Sequence, residues 1–166
     1  ATALAAGTAY DGRATRLSPQ GYVYRGPFGL LGEYITSRQE LVNGATEESV
    51  THSAWQLVGS YVLTGEKASY AGVRPDQPYR PGQAGWGAVE LVARIGALDL
   101  DGDAAGFGFV AANAVESVSN AGVGLNWYLT RNLKVAANYN RTSFSNYSGP
   151  DRDTEHSIFT RLQVAF

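Results

Sequence analysis

Apolar and polar residues alternate along most of this chain. The last segment shows the pattern most fully. In His156-Ser-Ile-Phe-Thr-Arg-Leu-Gln-Val-Ala-Phe166, residues Phe166, Val164, Leu162, Thr160 and Ile158 fall on one face. Ala165, Gln163, Arg161 and Ser157 fall on the other, and Phe159 is the single exception. A period of two predicts a strand with one apolar and one polar side. A strand of a soluble β-sandwich alternates in the same way, so this segment alone decides little. The recurrence of the pattern, about every ten residues between turn residues, is what membrane-spanning β-strands require.

Earlier segments repeat it. From Arg16, residues Leu17, Gly21 and Val23 oppose Arg16, Ser18, Gln20, Tyr22 and Tyr24, and Gly26-Pro27-Phe28-Gly29 then predicts a short turn. A second strand is expected over 28–39, with Phe28, Leu30, Tyr34 and Thr36 outward and Glu33 and Ser37 inward. Residues 42–48, with Asn43-Gly44 and two acids, read as a solvated loop. A third strand over 51–64 puts Trp55, Leu57, Tyr61 and Leu63 outward and His52, Gln56 and Ser60 inward. Trp55 and Tyr61 are separated by roughly 20 Å at strand rise, the height of an apolar band between aromatic girdles. A fourth strand over 86–99 has Val89, Leu91, Ala93, Ile95 and Ala97 outward and Glu90, Val92, Arg94 and Gly96 inward.

The fifth strand, 118–129, sets Ala121, Val123, Leu125, Trp127 and Leu129 against Asn120, Gly122, Gly124, Asn126 and Tyr128. Thr130-Arg131-Asn132 turns into a sixth, with Leu133, Val135, Ala137 and Tyr139 outward and Lys134, Asn138 and Asn140 inward. Residues 101–113 and 146–155 read as loops, and 1–14 as a loop or residual strand preceding a barrel segment over 15–166. The expected class is therefore all-β: an antiparallel transmembrane β-barrel segment of about seven or eight strands. Seven is odd, whereas single-chain bacterial barrels use even numbers. Either residues 1–13 supply an eighth strand, or the rest of the barrel lies elsewhere.

Composition adjusts this picture in a few places. No apolar run approaches the ~18–20 residues of a membrane helix, but barrel strands escape that criterion because every second residue faces the lumen. Ten Tyr, three Trp and twenty Gly suit girdles and tight turns. Cys is absent, which removes disulfides and thiolate chemistry. A net charge of -2 argues against nucleic acid as a partner. There is no start Met or signal peptide, so the chain is expected to begin after processing or to be a piece of something longer.

If Phe166 ends in the periplasm, the turns at Pro27 and Arg131 are periplasmic and the loops at Asn43, Gly102 and Ser148 extracellular, matching the usual short and long loops. The connection over 65–84, with three prolines, is a long exception. Long connections of this kind are commonly functional, and one role for it is a segment folded into the barrel mouth.

Five motifs in order carry a family resemblance. They are Gly26-Pro27-Phe28 with Gly32-Glu33-Tyr34; Tyr61-Val-Leu-Thr-Gly-Glu66; Glu90-Leu-Val-Ala-Arg94 with Leu98-Asp99-Leu100; Gly124-Leu-Asn-Trp-Tyr-Leu129-x-Arg131-Asn132; and Thr160-Arg161-Leu-Gln163. Together, over 16–166, they resemble the C-terminal half of the phosphate-selective porins O and P. The resemblance implies a trimeric bacterial outer-membrane barrel of about sixteen strands, with inward-folded loops and basic residues lining a path for phosphate or polyphosphate. It implies as partners outer-membrane lipid and lipopolysaccharide, small anions, and a homotrimer or the remaining half of the barrel.

Arg16, Arg94, Lys134 and Arg161 share the expected lumen face and can coordinate a passing anion. The alternative is that they pair with Glu33 and Glu90 and fill the interior. Lys67, Tyr70, Arg74, Tyr79 and Arg80 can form a constriction in the long connection, or a solvated surface loop. Trp55, Tyr61, Trp127 and Tyr139 are expected as girdle anchors. His52 and His156 are too far apart for a metal site. Asp99, Asp101 and Asp103 begin like a calcium loop, but Val110 stands where its closing glutamate belongs. No cofactor, metal or catalytic constellation is expected, so a porin is favoured over an enzyme. The other readings are a small closed eight-stranded barrel acting as an anchor or assembly component without a pore, and a soluble β-sandwich.

Overall fold

The computed structural model describes residues 4–111 and 113–165; Phe166 lies outside the described residues. The chain forms one antiparallel sheet with the order β1-β3-β4-β5-β6-β7-β8, with β2 also paired to β3. The strands are β1 (Thr8–Leu17), β2 (Gln20–Arg25), β3 (Phe28–Asn43), β4 (Thr46–Val62), β5 (Ala88–Asp99), β6 (Val115–Tyr128), β7 (Leu133–Asn146) and β8 (Glu155–Val164). From β2 onward each neighbours the next along the chain, and β1 also pairs with β3, so the topology is a meander.

β1 and β2 are two halves of one span. Leu17 faces Thr36 and Gln20 faces Glu33, in one continuous register along β3. The break falls at Ser18-Pro19, because proline has no N–H to give to a ladder. Its carbonyl still accepts from Tyr34 N at 3.0 Å. Strand therefore begins at Thr8, inside the stretch expected as a loop or residual strand, and seven spans result. β1 and β8 do not pair with each other among the described residues, so this sheet does not close into an eight-stranded barrel by itself.

One loop expectation is corrected. Residues 42–48 are strand, and β3 and β4 pair from Phe28↔Tyr61 out to Asn43↔Thr46. The connection shrinks to Gly44-Ala45, with Gly44 at φ 64, the positive φ needed at the first central position of a two-residue hairpin loop. The acids at Glu47 and Glu48 suggested solvent, and they do lie on an exposed stretch, but exposure does not prevent pairing. Gly26-Pro27 makes the second such turn, as expected, with Gly26 at φ 56.

Register fixes the faces. Opposed residues share a side, so the pairs Glu33↔Gln56, Val58↔Arg94, Arg94↔Gly122 and Gly122↔Asn140 place one polar face across five strands. The other face carries Leu30, Trp55, Leu57, Leu91, Ile95, Val123, Leu125, Ile158 and Leu162, all exposed. An apolar face of this size left in water would be a severe liability; against lipid it is the required surface.

Two buried clusters sit on the inner face, one at each end of the sheet. At one end Leu41, Val50, Ala104 and Phe109 pack together, with Leu4, Val110 and Tyr147 against them. At the other, Val62, Ala68, Val73, Ala88 and Tyr128 do so, with Tyr24 alongside. The loop over 100–114 thus folds inward at the first end, and the connection over 63–87 covers inner-face residues at the second.

Candidate functional site

The inner face owes its open floor to small residues. A side chain at Gly96 would run into the Trp55 carbonyl at 2.7 Å, and side chains at Gly122 and Gly124 would overlap the amides of Asn140 and Asn138. With these positions bare, the Asn138 and Asn140 amides lie across β6, and Arg94 reaches over it. Its Nη2 donates to Asn120 Oδ1 at 3.0 Å and Asn140 Oδ1 at 3.2 Å. Both acceptors are neutral, so the guanidinium is fixed in place while keeping its charge uncompensated.

Arg94 borders two hollows. One, of about 250 Å³, is shared with Glu33, Gln56 and Asn120. A second, of about 520 Å³, is shared with Asn138, Asn140, Phe159 and Arg161. Arg161 then borders a third, of about 590 Å³, with Glu90, Arg131 and Lys134. Lys134 Nζ lies 5.2 Å from the centre of the Tyr128 ring, a cation–π arrangement. Arg94, Arg161, Lys134 and Arg131 therefore follow one another along the inner face toward the second end. Arg16 stands apart near the first end, opposite Ser37.

The nearby acids are held by neutral donors. Glu33 accepts from Gln56 Nε2 at 2.8 Å and from Ser18 Oγ at 3.5 Å. Glu90, nearly buried, accepts from Asn126 Nδ2 at 3.0 Å and Tyr128 O–H at 2.9 Å. Among the described residues the single ion pair is Arg152 with Glu155, away from this path. Among the described residues neither Glu33 nor Glu90 comes within ion-pair distance of a lumen cation.

Sequence reading did not single out Arg131 as a site residue, because turn residues belong to neither alternating face. The available signal was its position one turn from Lys134.

The long connection divides at the rim. Ala68 N donates to the Gly26 carbonyl at 2.8 Å, and the Tyr70 ring stacks on Tyr22 with centroids 5.2 Å apart. Tyr70 thereby borders the third hollow. Lys67 and Arg74 border another hollow, of about 830 Å³, with Glu66, Asp76 and Arg131. Glu66 anchors this half by accepting from Thr64 Oγ1 and from Asp76 N. The other half climbs over to the outer side: Tyr79 N donates to the Leu129 carbonyl at 2.7 Å, and the Tyr79 ring meets outward-facing Trp127 edge-on. Arg80 follows it and is exposed.

At the first end Asp101 ties the inward loop down. Its carboxylate accepts from Thr51 N at 2.7 Å and from Asp103 N at 3.0 Å, and its own N–H donates to His52 Nδ1 at 3.1 Å. Tyr147 O–H donates to the Asp101 carbonyl. Burial, then the carboxylates of Glu116 and Asp101, holds the Tyr147 phenol above its usual pKa, so it stays a donor through neutral pH. Asp101 is thus an anchor within the fold.

An antiparallel meander with an apolar outside and a polar, glycine-floored inside carrying cations has the two faces of a membrane-barrel wall. The family model for phosphate-selective porin O and P matches residues 1–166. The chain belongs to that family. The match extends beyond the 16–166 over which the motifs were read. No curated protein matches the chain. This porin is accordingly a transmembrane β-barrel protein of the outer membrane, and the family is one of channels. Of the expected girdle residues, Trp55, Tyr61 and Tyr139 are exposed on the lipid side, and Trp127 shares that side with Val89, its register partner.

Proposed function

We propose that this porin passes phosphate and related small anions, polyphosphate included, by passive diffusion, with Arg94, Arg161 and Lys134 lowering the electrostatic barrier along the wall. The observation that carries this reading is the setting of Arg94: two amide oxygens hold it and, among the described residues, no carboxylate is within ion-pair distance of it. Charge-assisted hydrogen bonds suit a tetrahedral oxyanion, and separate cations along a path let an ion enter one site as it leaves another. Arg131 continues the path toward the mouth, and the Tyr70 half of the connection narrows it. The open edges of β1 and β8 must be paired in a bilayer, because no water is there to satisfy bare backbone groups. We infer that further strands complete a barrel of about sixteen, assembled as a trimer in the bacterial outer membrane.

Reversal potentials in planar bilayers test the reading. A unit charge at ~4 Å in water-like surroundings is worth about 1 kcal/mol, so Arg94→Ala and Lys134→Ala should each lower the anion-to-cation permeability ratio roughly fivefold. Glu90→Gln, which removes a negative charge beside Lys134 and Arg161, should raise it. A cation preference that neither alanine substitution changes overturns the anion path. Absence of any single-channel conductance would mean a filled barrel without a pore.

A further inference from the structure

The lipid-facing apolar band stops abruptly on β7 and β8. Along β7 the outward residues are Leu133, Val135, Ala137 and Tyr139, then Arg141; along β8 they are Val164, Leu162, Thr160 and Ile158, then His156. Arg141 and His156 are register partners, so their Cβ atoms lie about 5 Å apart on the same outer side. Both are exposed. The Arg141 side chain has no hydrogen bond or ion pair among the described residues; the contact from Asn120 Nδ2, at 3.3 Å, is to its backbone carbonyl. Tyr139, the last residue of the band, lies 2.6 Å from His156 Nδ1 through its hydroxyl and stacks on the ring at 6.0 Å. With the hydroxyl donating to Nδ1, the imidazole is oriented and its Nε2–H remains free to donate.

A guanidinium at the edge of the hydrocarbon reaches into the headgroup layer, where the phosphates of lipid are the anions at hand. Of the neighbouring acids, Glu155 is paired with Arg152, and Asp151 accepts from Asn146 N at 3.0 Å. We propose that Arg141 and His156, braced by Tyr139, bind a phosphate group of lipopolysaccharide in the outer leaflet. This rests on the barrel orientation in which the loops over 100–114 and 147–154 face outside. It is independent of the pore, since the pair lies on the opposite side of the wall from Arg94. Arg141 supplies planar bidentate donors to two phosphate oxygens, and His156 a third donor. The apolar strip below, through Tyr139 and Ile158, faces the acyl chains.

The test uses the protein purified from outer membranes in mild detergent, with lipopolysaccharide retained per chain measured by native mass spectrometry. Losing charge-assisted hydrogen bonds should cost about tenfold or more in retention for Arg141→Ala with His156→Ala, whereas Arg141→Lys should keep part of it. Lipopolysaccharide stripped of its phosphates should bind as weakly to the parent as the intact form binds to the double variant. Single-channel conductance should be unchanged, which separates this site from the pore and verifies that the variant folds. Equal retention by parent and double variant overturns the proposal, as does equal binding of the dephosphorylated form. Displacement by inner-leaflet glycerophospholipid at equal concentration also overturns it, and so does a change of oligomeric state with retention intact, which would make the pair a subunit contact.

Discussion

The lower and upper parts of the same strands follow opposite rules. In the band between Tyr61 and Trp55 the outward residues are apolar and the inward ones polar, as with Leu125 and Asn126. Past Trp55, Ala121 and Tyr139 the code inverts. Outward positions become Ser53, Ser117, Ser119 and Ser143, and inward ones become Leu41, Val50, Leu98, Val118 and Phe144. The inner residues Leu98, Val118 and Phe144 line a cavity of about 630 Å³ with Leu100 and Val110. The solvent changes sides: lipid lies outside the band, whereas above it water or headgroups lie outside and the loop over 100–114 covers part of the inside. A strand carries no fixed apolar face; each turn of the alternation answers to what covers that height.

The largest expected effect comes from the upper core. Phe109 is fully buried against Leu41, Val50 and Ala104, and Phe109→Ala should cost about 3–5 kcal/mol through the cavity it leaves. The loss should be local to the extramembrane end. Limited proteolysis within 100–114 should accelerate while the folded, gel-shifted fraction of the barrel holds. Equal loss at both ends would show that the two regions form one cooperative unit.

This inversion also decides what the sequence could and could not reveal. Strand identity, face assignment within the band and the turns at Gly26 and Arg131 were legible, because lipid imposes the same code on every span. The hairpin over 42–48 was not, because its apolar residues Leu41 and Val50 bracket polar ones and face inward, against a partner loop distant in sequence. Thr8–Leu17 was hidden for a related reason: a register shift between Tyr10 and Ala14 interrupts its alternation. The cations of the inner face were legible as a set. Their neutral amide partners were not, since Arg94 meets Asn120 and Asn140 only after three strands are in register, and Arg16 is separated from them for the same reason.

A smaller effect should appear at the anchor of the upper loop. Asp101→Ala removes the acceptor of Thr51 N, a bond of 2.7 Å, and of Asp103 N. A hydrogen bond to a charged group is worth about 1.5–3 kcal/mol, and both donors are exposed enough to recover water. The loss should therefore fall near the lower limit, read as faster amide exchange at Thr51 and Asp103 with exchange in β6 and β7 unchanged.

The sharpest test of the inversion uses one strand and one face. Leu125 and Ser119 both point outward on β6, three outward positions apart, with Val123 and Ala121 between them. If the band ends where the code inverts, the same substitution should have two different costs. Leu125→Arg places a charge against hydrocarbon and should destabilise the barrel by about 2–4 kcal/mol, whereas Ser119→Arg should fall within about 1 kcal/mol. Reversible unfolding in phospholipid vesicles measures both. Ala121→Arg should lie between them, because it occupies the last apolar row beside Arg141, its register partner. It would add a second cation next to the first, so anionic lipid in the vesicles should reduce its cost more than that of Leu125→Arg. Equal costs at positions 119 and 125 would place Ser119 inside the hydrocarbon and move the boundary beyond His156 and Arg141.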